Sequence, residues 1–279
     1  MDDQTSSFRA ALHRTDLLMA ISFRKPPVEE VVCDVRFEPL ADLRLTHFGL
    51  LWQRFRDSYP KVEHAPPLIT DLGDMHIDPA TGGPLPRVWF IAESDDYLIQ
   101  FQPDHLIFNW RRREQKYPRF SEVFPRFRGC VETFIAFLSE YGLGPIKIRA
   151  FELTYINQIP KGEGWETPSD ACNVFKDFKW AHASGRFLPN PDTNSWQAAF
   201  LMPEDSGMLI TRVRQGKRSA DGVPLILFDL VARGAGPNKS IEELDSWFEL
   251  AHTWIVNGFA DLTNEQIQSA IWEREDATV

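Results

Sequence analysis

The amino-acid sequence predicts a pseudo-duplicated α+β fold. Three observations indicate it. Strand-like and helix-like segments are mixed along the chain, they recur in the same order in both halves, and 43% of the 279 residues are hydrophobic, enough for a sizeable core. Each half contains a strand, a helix, an antiparallel meander and a long helix. If the two sheets join edge to edge, they form one curved sheet with both long helices on one side.

The predicted domain organisation is one compact, pseudo-symmetric unit preceded by an arm. Residues 1–24 are expected to form a flexible N-terminal arm, because their apolar run is short and interrupted. Residues 25–145 form the first α+β half and residues 146–279 the second. The halves correspond in the order of their elements and not residue by residue, so the duplication is one of architecture.

The first half opens with KPPVEEVVCDVRFEPL (25–40), a strand rich in β-branched residues and bounded by prolines. A helix is predicted over 42–60, where apolar residues recur at helical spacing and Pro60 ends it. Residues 119–142 predict the long helix, which carries a continuous apolar stripe and ends at Gly142. Between the helices lie three strands joined by the turn sequences ESDD and PD, at 87–92, 97–102 and 105–111.

The second half repeats this order. IKIRAFELTYINQIP (146–160) predicts a long strand, and residues 240–262 predict the second long helix, with Ser240 and Glu243 as a capping box. A short terminal helix is predicted over 263–275. The remaining predicted elements are a short helix at 169–178 and strands at 195–203, 207–216 and 224–233.

Charge is distributed unevenly along the chain. The net charge of −10 opposes general affinity for nucleic acid. Residues 105–149 nevertheless hold nine Lys/Arg against four Asp/Glu, whereas residues 240–279 hold nine acids and one base. A basic middle and an acidic C-terminal end can serve self-association, so a homodimer is one predicted state; the alternative is two solvated faces.

The sequence predicts a cytoplasmic protein that does not enter a membrane. No stretch approaches 18 consecutive apolar residues, and the N-terminus lacks the basic start and apolar core of a signal peptide. Cys33, Cys130 and Cys172 are far apart and odd in number, which is typical of reduced thiols.

Three stretches resemble a functionally uncharacterised bacterial family that is sporadically distributed. They are KPPVEEVVCDVRFEPL with FGLLWQRFRDSYPKVEHAPPL, then YLIQFQPDHLIFNWRRREQKYPRF, and LTYINQI. The resemblance spans the chain from Pro26 to the last helix and implies a soluble protein but no activity. The family has arginines where this chain has Leu153 or Thr154 and where it has Gln158. Sporadic distribution implies carriage on mobile islands, including defence or toxin–antitoxin-like loci.

The first candidate binding segment is NWRRREQKYP, which contributes Arg111, Arg112, Arg113 and Lys116. Alternation of arginine and aromatic residues can hold a nucleic-acid backbone and stack bases. The same pattern is typical of a strand whose aromatic side chains are core and whose arginines reach water or a protein partner. Because the whole chain is acidic, the second interpretation is favoured.

The second candidate is the pair Tyr155 and Asn157, which share one face of the long strand. A hydroxyl and an amide on a sheet face can orient a small ligand. The same groups can cap a turn or bridge the two halves, and both interpretations stay open. The third candidate is Asp229, which lies mid-strand among apolar residues. We expect a structural ion pair with Arg212 or Arg214 in preference to a metal site.

No catalytic residue, metal site or cofactor is predicted. The sequence lacks GxSxG, HExxH, GxxxxGK[ST] and GxGxxG. DMHID places Asp74, His76 and Asp78 at metal-like spacing, but a polar loop is the favoured interpretation. His252 lies on the apolar side of the last long helix, as a core or groove histidine would.

The leading functional hypothesis is therefore a non-enzymatic, cytoplasmic binding or accessory protein that recognises a protein partner or small ligand. Recognition is expected at the saddle face, which is the face of the curved sheet opposite the long helices, and at the Arg111–Lys116 corner. The alternative is a nucleic-acid-binding component of a defence-type locus. A metal-dependent hydrolase is the second alternative.

Overall fold

The structure is a computed structural model that describes residues 21–68, 77–78, 82–114, 116–178, 185, 187–235 and 240–276. These residues form eleven strands and five α-helices. The helices are α1 (Leu45–Phe55), α2 (Phe120–Glu140), α3 (Ala171–Val174), α4 (Leu244–Leu262) and α5 (Glu265–Ala270). The strands are β1 (Ile21–Phe23), β2 (Val28–Phe37), β3 (Lys61–Ala65), β4 (Arg87–Ile91), β5 (Tyr97–Gln102), β6 (His105–Arg111), β7 (Ile148–Pro160), β8 (Ser195–Leu201), β9 (Met208–Lys217), β10 (Pro224–Ala235) and β11 (Arg274–Asp276).

The chain divides into two compact units. The larger unit comprises residues 28–159 and 195–255, and the smaller unit contains the described parts of 1–27, 160–194 and 256–279. Three short 3-10 helices, at Pro168–Asp170, Pro203–Asp205 and Ile241–Glu243, precede or follow regular elements.

The larger unit is built on one open nine-stranded sheet with the order β3-β4-β5-β6-β2-β7-β10-β9-β8. The predicted α+β fold is confirmed, and strands from both sequence halves lie in the same sheet. β2 and β7, the first strand of each half, are neighbours at the centre and pair antiparallel, with Asp34 opposite Glu152. The two halves are therefore joined by backbone hydrogen bonds between their opening strands.

Both long helices contact the same face of this sheet. Strict alternation in β2 directs Val31, Cys33, Val35 and Phe37 to one side, where each is buried. Phe37 lies 5.6 Å from Phe134 of α2, measured between ring centroids.

The two long helices also contact each other. Phe127 of α2 lies 5.0 Å from Phe248 of α4, and Phe248 lies 5.9 Å from Phe151 of β7. Phe127 also packs on Phe108 of β6 at 6.3 Å. The heavy aromatic content of the sequence therefore fills the layer between the sheet and the helices, as aromatic side chains in α+β cores commonly do.

Three strands lie where the sequence predicted none. One is β1 (Ile21–Phe23), which occupies the end of the predicted N-terminal arm. β3 (Lys61–Ala65) is an edge strand whose side chains are almost all exposed, so its sequence KVEHA lacks the apolar alternation of a half-buried strand. The predicted terminal helix ends at Ala270, and Arg274–Asp276 form β11, which pairs with β1. Of the predicted N-terminal arm, residues 1–20 lie outside the described residues.

The smaller unit has its own aromatic and polar core. Phe23 of β1 packs edge-on against Phe259 at 5.2 Å, and Phe259 lies 4.9 Å from Trp272. The fully buried Gln268 amide donates hydrogen bonds to the carbonyl oxygens of Ala260 and Thr263, each at 2.8 Å. These contacts connect the chain segments on either side of α5.

Gly234 of β10 lies directly against Trp247 of α4. A Cβ at this position would overlap the indole ring of Trp247 and the carbonyl oxygen of Ser206. That carbonyl accepts a hydrogen bond from Trp247 Nε1 at 2.9 Å. Only glycine leaves the buried indole and its hydrogen bond undisturbed.

We predict that Gly234→Ala lowers the free energy of unfolding by about 2 kcal/mol or more, because the methyl group displaces Trp247. The matched control is Gly129→Ala in α2, where a Cβ meets no other atom within 4 Å. That change should stabilise the protein by up to about 1 kcal/mol through helix propensity. Urea unfolding measures both, and equal stability of the two variants would contradict the packing argument.

Candidate functional site

The arginine corner at the end of β6 is held by internal partners. Asp95 lies in the turn between β4 and β5. Its carboxylate accepts hydrogen bonds from Arg111 Nη2 at 2.6 Å and from Arg113 Nε at 2.8 Å. Asp95 has a positive φ of 59°, a conformation that aspartate tolerates better than most residues. One carboxylate therefore balances two guanidinium groups at this corner.

Arg112 follows the last residue of β6 and contacts β2. Its Nε and Nη2 donate to the carbonyl oxygen of Val28 at 2.9 Å and 2.6 Å, and Nε lies 3.0 Å from the Glu29 carboxylate. Burial raises the pKa of Glu29, and the positive charge of Arg112 lowers it in part. Lys116 is exposed beyond the strand. Of the four predicted binding residues, the three arginines thus have structural partners.

Tyr155 and Asn157 lie on the helix side of β7 and are buried. The Tyr155 hydroxyl lies 2.8 Å from the Tyr117 hydroxyl, and burial raises the pKa of both phenols. The Asn157 amide donates to the carbonyl oxygen of Phe228 in β10 at 2.9 Å. Asn157 therefore bridges two strands of the second half, and a ligand role for either residue stays a prediction.

The ion pair predicted for Asp229 forms with Arg214 and not with Arg212. Arg214 Nη2 lies 3.1 Å from Asp229 Oδ2. Arg212 is directly opposite Asp229 in the β9–β10 register, but its Nε donates to Gln197 at 3.3 Å. Burial raises the pKa of Asp229, and the two arginines offset this in part. The other carboxylate oxygen of Asp229 is buried without a hydrogen-bond partner among the described residues.

The sheet face opposite the long helices, called the polar face here, carries a continuous row of hydrogen bonds. Arg87 donates to Gln100 at 3.0 Å, Gln100 donates to Asn109 at 2.8 Å, and Asn109 donates to Glu30 at 2.6 Å. The row crosses β4, β5, β6 and β2 in spatial order. Gln100 and Asn109 are buried, so each depends on its neighbours for hydrogen bonds.

A second row of charged groups crosses the polar face from β10 to β6. Arg233 Nε lies 2.6 Å from Glu152, and Arg36 bridges Glu152 at 3.3 Å and Asp34 at 3.1 Å. Asp34 in turn lies 3.1 Å from His105 Nδ1. Asp34 and His105 are almost fully buried, which makes this a network with little water to replace a lost partner.

A half-buried strip of β2 and β7 lies beside the two rows. It is formed by Glu30, at which the first row ends, together with Val32, Thr154 and Ile156. Burial raises the pKa of Glu30, and the hydrogen bond from Asn109 is the first of the groups that lower it. The strip therefore offers a hydroxyl, two apolar side chains and a carboxyl group of reduced acidity. Such a mixture of apolar surface and a few oriented polar groups is typical of ligand-binding sites.

The sequence pointed to the face opposite the long helices as the binding surface, but it did not single out these two rows or the strip beside them. The signal that could have found them is the placement of polar residues at every second position of otherwise apolar strands. Gln100 and Gln102 occupy such positions in YLIQFQ, and Glu30, Asp34 and Arg36 occupy them in VEEVVCDVRF. Which of them meet depends on strand order, and β2 lies far from β6 in the sequence.

No group of three or more His, Cys, Asp or Glu side chains within the described residues could hold a metal ion. Of the DMHID segment, Asp74 and His76 lie outside the described residues, and Asp78 is buried.

His252 packs against α2 as a neutral ring. It stacks on Phe120 with a centroid distance of 4.2 Å and lies 6.1 Å from Tyr155. Burial lowers the pKa of His252 to about 4. These contacts agree with the core or groove position expected from the sequence.

Comparisons with known proteins add little to this geometry. No protein-family model and no curated protein matches the chain. Among solved structures, the chain is similar to DynU16, a protein of the dynemicin biosynthetic locus, with 14% sequence identity over 84% of this chain and 98% of that chain, and a TM-score of 0.24.

Within the described part of the chain, none of the helices combines the length and the apolar character needed to cross a membrane.

We predict that Arg214→Ala lowers the free energy of unfolding by about 1 kcal/mol, because Asp229 then keeps a buried charge without its partner. In an Asp229→Asn background the same change should cost clearly less. A double-mutant cycle by urea unfolding measures the difference, with Arg212→Ala as the control that leaves the Arg214 pair intact. An equal loss in both backgrounds would show that Arg214 acts independently of Asp229.

We predict a specific loss of stability in acid that depends on His252. The unfolded chain takes up a proton near the ordinary pKa of 6.5, whereas the folded protein does so only near a pKa of about 4. Stability therefore falls as pH drops through this window, by no more than about 3 kcal/mol. His252→Gln should flatten this part of the pH profile in chemical unfolding, whereas His64→Gln on exposed β3 should not. Parallel profiles for wild type and His252→Gln would refute the assignment.

Proposed function

We propose that the protein is a non-enzymatic binding or accessory protein that recognises a small polar ligand or a segment of a protein partner at its polar face. The observation that carries the proposal is the unbroken row from Arg87 through Gln100 and Asn109 to Glu30. Such a row fixes the orientation of its amides and carboxylate before any ligand arrives.

The strip beside this row supplies a place for the ligand. Thr154 lies directly opposite Val32, and Ile156 lies directly opposite Glu30, so the four side chains form one patch. All four are half-buried, which leaves them accessible but partly desolvated. Hydrogen bonds made in such surroundings discriminate strongly, because a wrong partner leaves a buried polar group unpaired.

The internal ion pairs at the arginine corner favour this proposal over nucleic-acid binding. Arg111 and Arg113 share Asp95, and Arg112 contacts Glu29. A phosphate would have to compete with these carboxylates for the same guanidinium groups. A protein partner could still meet the exposed Lys116. A cytoplasmic location and a mobile defence-type locus remain predictions from the sequence.

The test is retention of small molecules by the gently purified protein, identified by mass spectrometry after gel filtration and denaturation. We expect the wild-type protein to retain a bound compound. Thr154→Val, an isosteric change on the strip, should reduce the retained amount at least about tenfold. Gln53→Leu, at an exposed amide of α1, is the control that should retain it. Asn109→Leu should abolish retention as well as destabilise the fold, because it removes the acceptor of the Gln100 amide nitrogen and the donor to the Glu30 carboxylate. Equal retention by wild type and Thr154→Val would overturn the assignment to the polar face.

The same protein should be titrated with single-stranded RNA and duplex DNA at low and at physiological ionic strength. We expect weak binding at both. Tight binding with a steep salt dependence that Lys116→Glu reduces would support the nucleic-acid alternative instead. Lys116→Glu tests the surface charge alone. Reversing the charge of Arg111 or Arg113 would also disturb the turn that holds Asp95.

A further inference from the structure

Strand β8 ends the nine-stranded sheet as an open edge. It pairs with β9 on one side, with Ala198 opposite Thr211 at its centre. Within the described residues, no backbone hydrogen bond is formed on its other side. In an antiparallel edge strand about half of the N–H and C=O groups face outward and can hydrogen-bond to another strand.

The sequence of β8 does not protect this edge. SWQAAFL contains no charged residue and no proline, and its side chains are mostly exposed. Leu201 is 80% exposed and Phe200 is 39% exposed. Natural edge strands are usually blocked by lysine, other charges, proline or a bulge. A regular, uncharged edge with exposed apolar side chains is therefore expected to have a partner.

The opposite edge of the same sheet shows the usual protection. β3 has the sequence KVEHA, and Lys61, Glu63 and His64 are exposed along it. Val62 is its exposed large apolar residue, at 42%. The two edges of the same sheet therefore differ in the charge of their side chains.

The sequence of β8 is complementary to itself in the antiparallel direction. If two copies pair about a two-fold axis at Ala198, Trp196 of each copy faces Phe200 of the other. Ser195 then faces Leu201, and Gln197 faces Ala199. Cross-strand aromatic pairs stabilise antiparallel sheets, and here the pair would form twice while covering the exposed Phe200 ring.

Charge does not oppose this pairing. β8 itself is neutral, although the whole chain carries a net charge of −10. The basic residues of β9, including Arg212 and Arg214, would be separated from those of the second copy by three strand spacings, about 14 Å. That distance exceeds the Debye length at physiological ionic strength, about 8 Å, so their repulsion is largely screened.

We propose that β8 pairs antiparallel with β8 of a second copy of this chain, joining two nine-stranded sheets in a homodimer that is symmetric about Ala198. This interface differs from the one suggested by charge polarity, in which the basic middle meets the acidic C-terminal end. It does not depend on the ligand proposed for the polar face.

Sedimentation velocity over a range of concentrations tests the dimer. We expect the wild-type chain to dimerise and Phe200→Lys to weaken dimerisation at least about tenfold, because a charge then faces Trp196 of the second copy. Val62→Lys is the matched control, an equally exposed apolar residue on the other edge, and it should leave the dimer intact. Circular dichroism confirms folding. If Phe200→Lys does not fold, Leu201→Lys at the most exposed position of β8 replaces it.

A disulfide tests the register. Directly opposite residues in antiparallel strands have Cα atoms about 4.5–5.5 Å apart, which a disulfide can span. In a Cys172→Ser background, Ala198→Cys should therefore cross-link two copies on mild oxidation, whereas Val62→Cys should not. A wild-type chain that stays monomeric would overturn the proposal. So would a dimer that Phe200→Lys does not weaken, or a dimer in which Ala198→Cys fails to cross-link.

Discussion

The antiparallel pairing of β2 with β7 is the interaction on which the rest of the structure depends. It places the opening strands of the two sequence halves side by side at the centre of one sheet. Alternation along β2 then sends Val31, Cys33, Val35 and Phe37 towards the helices and Glu30, Asp34 and Arg36 to the other side. A shift of one residue would exchange the two faces, so the register is fixed by the cost of burying these charges against the helices.

The polar face is the consequence of that register. Carboxylates placed in the middle of a sheet lose hydration, and each is accompanied here by a cation or an amide: Arg36 for Asp34, Arg233 for Glu152, and Asn109 for Glu30. Networks of this kind add little net stability but penalise any arrangement that leaves a member unpaired. The same property is the reason for our proposal that the half-buried strip beside the network selects a ligand with matching polar groups.

The two edges of the sheet differ in the chemistry of their exposed side chains. β3 exposes charges of both signs, whereas β8 exposes Phe200 and Leu201. The polar face and the β8 edge belong to the same sheet, so a dimer through β8 would place two polar faces in one extended sheet without using either for contact.

The sequence by itself determined the α+β class, the long helices and most strands, because those features are encoded in local periodicity. The 3.6-residue stripe of α2 and the alternation of β2 are visible without knowledge of any partner. The sequence did not reveal β3, whose exposed side chains carry no alternation. It also did not reveal β1 and β11, whose pairing joins segments some 250 residues apart. The arginines at 111–113 were identifiable as a cluster, but only the tertiary structure brought Asp95 to them. The tertiary structure alone brings Arg87, Gln100, Asn109 and Glu30 into one row. Cross-strand contacts follow from strand order and register, which local sequence does not specify.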